Sequence, residues 1–232
     1  MIYLSLILPV HNEEDIIEKV LKEIIITLDK TKITYEILLI ENGSTDRSQK
    51  IVIELSKKYS KVRSFVSPKG YGNAVLKGLR ESKGQYVSYM PSDGQVETSV
   101  LPKLLKEVDQ YDLIKVRRVK RESIVRDLTT FTFSKVISLL FNTQSIDING
   151  SPRIFLRKHL SKLKLRAKDS FIDAEFLIKI SRLNWKIKEI PMANIERYGG
   201  KSTRSINTYL EFFHNILDYK FSPKLKLWQQ TL

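Results

Sequence analysis

Two hydrophobic rhythms alternate along the first half of the chain. Ile2 to Leu8 is a nearly continuous apolar run, the pattern of a strand buried on both faces. Glu13 to Leu28 then repeats Ile16, Ile17, Val20, Leu21, Ile24 and Ile25 at helical spacing. The unit recurs. Tyr35 to Ile40 reads as a second strand and Asn42-Gly43-Ser44 as a loop, with Ser44 or Thr45 and Asp46 opening a helix through Ile51, Val52 and Leu55. Val62 to Val66 predicts a third strand, Gly70 to Ser82 a third helix and Tyr86 to Met90 a fourth strand.

Strands alternating with helices of about a dozen residues imply right-handed crossovers, so the expected fold is α/β, a mostly parallel sheet covered by helices on both sides. Ligands bind such sheets beyond the carboxyl ends of the strands. The loops falling there are Pro9-Val10-His11-Asn12-Glu13, Glu41-Asn42-Gly43-Ser44 and Pro91-Ser92-Asp93-Gly94-Gln95, all polar. Beyond Asp112 the pattern loses regularity: a basic stretch runs from Lys115 to Arg126, and an apolar, aromatic-rich one from Leu128 to Phe141. Tyr209 to Leu227 is a second amphipathic candidate, carrying Leu210, Phe212, Phe213, Ile216, Leu217 and Phe221 among Lys220, Lys224 and Lys226.

Composition narrows the class. At 232 residues and 42% hydrophobic the chain is long enough to bury one substantial core. Forty Lys and Arg against twenty-six Asp and Glu give a formal net charge of +14, a field that draws nucleotides, lipid phosphates, nucleic acid or an acidic leaflet. The absence of cysteine excludes a disulfide framework, a thiolate metal site and a thiol nucleophile, and suits a reducing, cytoplasmic setting. Met1 to Val10 has no basic leader and reads as a strand rather than a signal peptide. No window approaches the roughly 18 uncharged apolar residues of a membrane-spanning helix.

The motifs, in order, resemble those of family 2, GT-A-type glycosyltransferases, in particular the dolichyl-phosphate mannosyltransferase and polyprenyl-phosphate glycosyltransferase branch. Leu6 to Glu14 looks like the family's strand followed by P-x-x-N-E, and Tyr35 to Asp46 like its strand followed by D-D-G-S-x-D. Gly70-Tyr71-Gly72-Asn73-Ala74 with Gly78 resembles its G-x-G-x-A-x-x-x-G helix start, and Ser92 to Gln95 falls where the family carries its metal-binding D-x-D. Asp147 to Arg153, Phe171 to Glu175, Glu189 to Pro191 and Arg197 to Ser202 complete a series covering residues 4–204. Two positions depart from it: Asn42 replaces an Asp that meets the base or ribose, and Pro91 replaces the first Asp of D-x-D.

The resemblance implies a GT-A, Rossmann-like catalytic domain over residues 1–204, with a C-terminal amphipathic helical extension over 205–232 that contacts membrane or a partner. It implies transfer, with inversion, of a hexose such as mannose or glucose from a GDP- or UDP-sugar to a polyprenyl or dolichyl phosphate. The enzyme would sit peripherally on the cytoplasmic face of the membrane. Asp93 and Asp173 are the expected catalytic carboxylates, and Pro9, His11, Glu13, Asn42 and Asp93 the expected nucleotide contacts. Asp93 and Gln95 are the expected ligands of Mg2+ or Mn2+, which accept oxygen donors and take only one or two from protein. Arg117, Arg126, Arg197, Lys201 and Arg204 are the expected partners of acceptor phosphate or diphosphate, since guanidinium forks match phosphate geometry. A lipid phosphate is already ionised near neutral pH and attacks without a base; a hydroxyl acceptor would make Asp173 the base. The stretch 128–141 is read as an interfacial helix or as a core or homodimer contact. Two alternatives stay open, a soluble transferase acting on a hydroxyl and a non-catalytic binder of nucleotide sugar or nucleic acid. No helix-turn-helix, zinc or RNA-recognition motif accompanies the basic charge, so nucleic acid is not the expected partner.

Overall fold

The computed structural model describes residues 2–120, 134–193 and 206–232. Strands β1 (Leu4–Val10), β2 (Tyr35–Glu41), β3 (Val62–Val66) and β4 (Tyr86–Tyr89) alternate with helices α1 (Ile17–Asp29), α2 (Ser48–Lys58) and α3 (Tyr71–Glu81). After α4 (Val100–Leu105) come β5 (Leu113–Lys120), the helical residues 134–141 (α5), β6 (Arg153–Leu156), α6 (Leu160–Leu163), α7 (Ile172–Arg182) and β7 (Ile187–Ala193). Helices α8 (Ile206–Phe221) and α9 (Lys224–Gln229) close the chain.

The seven strands form one sheet in the order β3-β2-β1-β4-β6-β5-β7. Only β6 runs against its neighbours, pairing antiparallel with β4 and β5. Every residue of β1 and β2 is buried, which explains their unbroken apolar reading. The two faces still separate by strict alternation. Leu4, Leu6, Leu8 and Val10 join the core under α1, α2 and α4, whereas Ile7 joins the core under α3, α7 and α8.

Helix boundaries shift inward from the sequence reading because the first turns after β1 and β2 are loop. Asn12 adopts φ 55°, and its Oδ1 accepts the Thr45 N–H at 2.8 Å. The Asn12 N–H donates to Ser44 Oγ at 3.1 Å and the Glu13 N–H to Ser48 Oγ at 2.8 Å. The two loops are thus sewn together, and polar residues that would otherwise cap a helix bond across the gap. Asn tolerates this left-handed backbone better than most residues.

In the second half, α7 is buried at every position from Ile172 to Lys179, charged residues included. Helix α8 turns Phe212, Ile216 and Tyr219 into the same core. Among the described residues no helix is long and apolar enough to cross a membrane.

Candidate functional site

Parallel β1, β2, β3 and β4 bring their carboxyl ends to one edge, where a cleft of about 570 Å³ opens. Its walls are Pro9, His11, Asn12 and Glu13 after β1, Asn42 after β2, Lys69, Gly70 and Tyr71 after β3, and Pro91, Ser92 and Asp93 after β4. Four segments far apart in sequence therefore meet where the topology predicts a ligand.

Hydrogen bonds fix the walls to one another. Ser92 Oγ donates to the Pro9 carbonyl at 2.7 Å, and the Asn42 N–H to the Val10 carbonyl at 3.0 Å. The Gly70 N–H donates to Asn42 Oδ1 at 3.1 Å, so this side chain ties the β2 loop to the start of α3. Asn42 is buried, and its carbonyl serves the protein. Only its amide remains to offer a donor, where a carboxylate could only accept.

Glu13 is buried in the cleft wall, and its main-chain carbonyl accepts the N–H groups of Ile16 and Ile17 as α1 begins. His11 Nδ1 is buried without a hydrogen-bond partner among the described residues. Asp93 Oδ1 accepts the Gln95 N–H at 3.1 Å, a tight turn that Gly94 completes at φ 73°. Gln95 shapes the Asp93 loop through its backbone and is not part of the cleft wall. The sequence reading left out Lys69 and Tyr71, which line the cleft; their signal was a cation and a ring bracketing Gly70.

Asp173 lies apart from this wall. It is 7% exposed, accepts the Tyr89 hydroxyl at 3.1 Å and pairs with Arg153 at 3.2 Å. Arg153 is fully buried, its guanidinium 4.8 Å from the Tyr89 ring centroid and 5.6 Å from that of Phe176. Its Nη2 also donates to the Gly150 carbonyl at 3.1 Å, while Nε and Nη1 find no partner among the described residues.

A second buried network lies on β5. Lys115 is fully buried and donates to the Asp147 carbonyl, to Ser145 Oγ at 3.2 Å and to Glu189 Oε1 at 3.3 Å. Burial pulls its pKa down to about 8, and Glu189 opposes that pull. Burial alone would raise the Asp147 carboxyl, yet Arg118, donating through Nε at 2.8 Å and Nη2 at 2.7 Å, holds it well below the usual carboxylate range. Arg117, also on β5, is half-buried, its Nε buried and unpartnered among the described residues. Arg117 is not in the cleft wall, and Arg126, Arg197, Lys201 and Arg204 lie outside the described residues.

The cleft can hold an elongated polar ligand. Lys69 offers positive charge on one wall, and Asp93 offers an oxygen ligand to a divalent cation on another. Among the described residues no three His, Asp or Glu side chains converge as a ready-made cage. A cation here would use Asp93 and take its remaining ligands from phosphate and water, a donor set that suits Mg2+ or Mn2+.

Comparison with known proteins agrees with this architecture. An undecaprenyl-phosphate 4-deoxy-4-formamido-L-arabinose transferase of Photorhabdus laumondii is 24% identical over 232 residues, spanning 96% of this chain and 69% of its own. The protein of the same description from Edwardsiella ictaluri is 26% identical over 222 residues, 93% of this chain and 67% of its own. Among solved structures, Mycobacterium tuberculosis glucosyl-3-phosphoglycerate synthase, in complex with Mn2+, UDP and glucosyl-3-phosphoglycerate, superposes with a TM-score of 0.73. It shares 18% identity over 94% of this chain and 80% of its own, a likeness of fold. The sequence model described as Glycosyl transferase family 2 matches residues 5–163, more than half of the chain. A sheet edge built from that family's motifs, in a chain its model matches over this span, makes the protein a member of glycosyl transferase family 2, a glycosyltransferase of GT-A fold.

Proposed function

We propose that this enzyme moves a sugar from a nucleoside diphosphate donor to a polyprenyl phosphate at a membrane surface. The observation that carries the acceptor class is the likeness, along 93–96% of the chain, to transferases whose names specify undecaprenyl phosphate. The sugar in those names is a formamido pentose, so the donor is either a hexose, as the motifs imply, or a modified pentose.

In this reading the nucleotide lies along Pro9, His11, Glu13 and Asn42, which line the cleft together. Asp93, with its loop set by Gln95, would hold Mg2+ or Mn2+, and that cation supplies positive charge to the departing diphosphate. Lys69 adds a second positive charge from the α3 side of the cleft. The acceptor phosphate needs no base and meets Arg117 together with Arg126, Arg197, Lys201 and Arg204. Asp173, paired to a buried Arg153, serves as a positioning residue; its burial in that pair is why a hydroxyl acceptor with Asp173 as base ranks second.

Transfer of radiolabelled sugar from a panel of GDP- and UDP-hexoses and nucleotide-linked 4-deoxy-4-formamido-L-arabinose to polyprenyl phosphate in detergent tests the reading. Label entering the organic phase, lost with EDTA and in Asp93→Ala, is expected. Label passing only to a water-soluble glycan offered in parallel would assign a hydroxyl acceptor. Transfer undiminished by both EDTA and Asp93→Ala would remove the metal from Asp93.

A further inference from the structure

Away from the cleft, a groove of about 490 Å³ opens between the end of α5, the end of α7 and the α8–α9 turn. Three cations, Arg182, Lys220 and Lys226, share its walls with Phe141, Phe221 and Leu225. No acid lines it. Asp218, two residues before Lys220, is held by Lys224. Lys220 spends one N–H on the Leu140 carbonyl at 2.6 Å, which leaves two of its three donors for a ligand.

Apolar surface surrounds these cations. Helix α8 buries Phe212, Ile216 and Tyr219, yet the adjoining line Phe213, Leu217 and Phe221, spaced at i, i+4 and i+8, stays 47%, 38% and 79% exposed. Leu139 on α5 is 87% exposed and Leu227 on α9 is 56% exposed, each within two residues of a groove-lining side chain. Single exposed apolar residues are ordinary. A helical line of them beside a groove of unopposed cations is the pattern of an interfacial helix.

The geometry points to this groove as a seat for the phosphate headgroup of an anionic lipid, with Phe213, Leu217, Phe221 and Leu139 entering the acyl boundary around it. A free phosphate would use the cations and leave the apolar line in water. A bilayer uses both, and the net charge of +14 adds attraction to an acidic leaflet. The inference deepens the membrane-surface part of the proposed function. It concerns bulk lipid, so it is read with vesicles that contain no acceptor and with no sugar donor, and it stands or falls apart from the transfer reaction.

The test is co-sedimentation of the full chain with vesicles of phosphatidylcholine alone and of phosphatidylcholine mixed with phosphatidylglycerol. Binding is expected to favour the mixed vesicles and to weaken with salt. Lys220→Glu with Lys226→Glu should lower partitioning by about tenfold or more, and Phe221→Ser by about tenfold. All three residues are exposed, and unfolding curves would verify that the variants fold. A charge-matched reversal on α2, Lys50→Glu with Lys57→Glu, should keep most of the binding. Equal losses in the α2 and groove variants would reduce the effect to overall charge and overturn the site. Wild-type chain that ignores both vesicles, but forms a dimer in sedimentation velocity that Phe221→Ser dissociates, would assign the surface to a second copy instead.

Discussion

Asp173 shows how one side chain can carry a motif for reasons of packing as much as chemistry. It neutralises Arg153, which is fully buried and has two nitrogens without partners among the described residues. Removing one member of a buried ion pair leaves a charge in low dielectric, at a cost of about 3–5 kcal/mol. Asp173→Ala is therefore expected to lower the unfolding free energy by that amount in urea titration, and any loss of activity has to be corrected for the folded fraction. An unchanged urea midpoint would show that Arg153 does not depend on Asp173, and would return the carboxylate to the role of base. The sequence carries both residues in separate motifs, Asp147 to Arg153 and Phe171 to Glu175, and the spacing holds no sign that they meet. Their contact is made when β6 and α7 pack on Tyr89.

The start of α3 makes the same point for elements. A Cβ on Gly72 would lie 2.4 Å from the Ala167 carbonyl oxygen and 2.6 Å from the Lys168 carbonyl carbon, so the loop before α7 must approach a bare backbone. That loop is held from behind. Glu175 accepts the Arg166 and Ala167 N–H groups at 2.9 and 2.8 Å and pairs with Lys179 at 2.7 Å, while the Lys168 carbonyl accepts the Asn73 N–H at 3.0 Å. Gly72→Ala is expected to push loop and helix apart, costing about 1–3 kcal/mol of stability and weakening UDP or GDP binding about tenfold, because Gly70 and Tyr71 line the cleft. Calorimetric titration with each nucleotide reads the second effect, and an unchanged Kd would uncouple the loop from the cleft. The strand–loop–helix units were legible because each is local: period-two and period-3.6 patterns are written within a dozen residues. Gly72 was legible as a motif position, but its reason was not, since the atoms it makes room for lie more than ninety residues on. Helix α7 hides its surroundings in the same way. Asp173, Glu175 and Lys179 are charged, yet all three are buried, because the sheet covers one side of the helix and the 164–169 loop with α8 and α9 the other.

Residues 205–232 read in sequence as an extension, an amphipathic part that could be added to a finished domain. Several of their described side chains pack into the core of the domain. Phe212, Ile216 and Tyr219 belong to the core that includes Phe171, Phe176 and Phe141, and Trp228 is 6% exposed, its indole N–H donating to the Lys162 carbonyl at 2.8 Å. Lys179, which braces the loop behind the cleft, lies 5.3 Å from the Trp228 ring centroid. Burying four such side chains is worth at most about 6–12 kcal/mol at roughly 1.5–3 kcal/mol each. A domain is stable by only about 5–15 kcal/mol, so this burial is comparable to the whole margin. Ending the chain after residue 204 is thus expected to give a protein that unfolds far below the wild-type Tm, or that collects as aggregate. Nucleotide binding should weaken with it, because Glu175 and Lys179 would lose their cover. If the shortened chain kept the wild-type Tm and bound UDP or GDP normally, the two helices would be an appendage of a self-sufficient catalytic domain, free to leave the core for the membrane. The packing of α8 argues for the other arrangement. Its Phe212–Ile216–Tyr219 face stays in the core while Phe213, Leu217 and Phe221 face outward, so the helix can offer that outward line to the proposed lipid surface without having to undock.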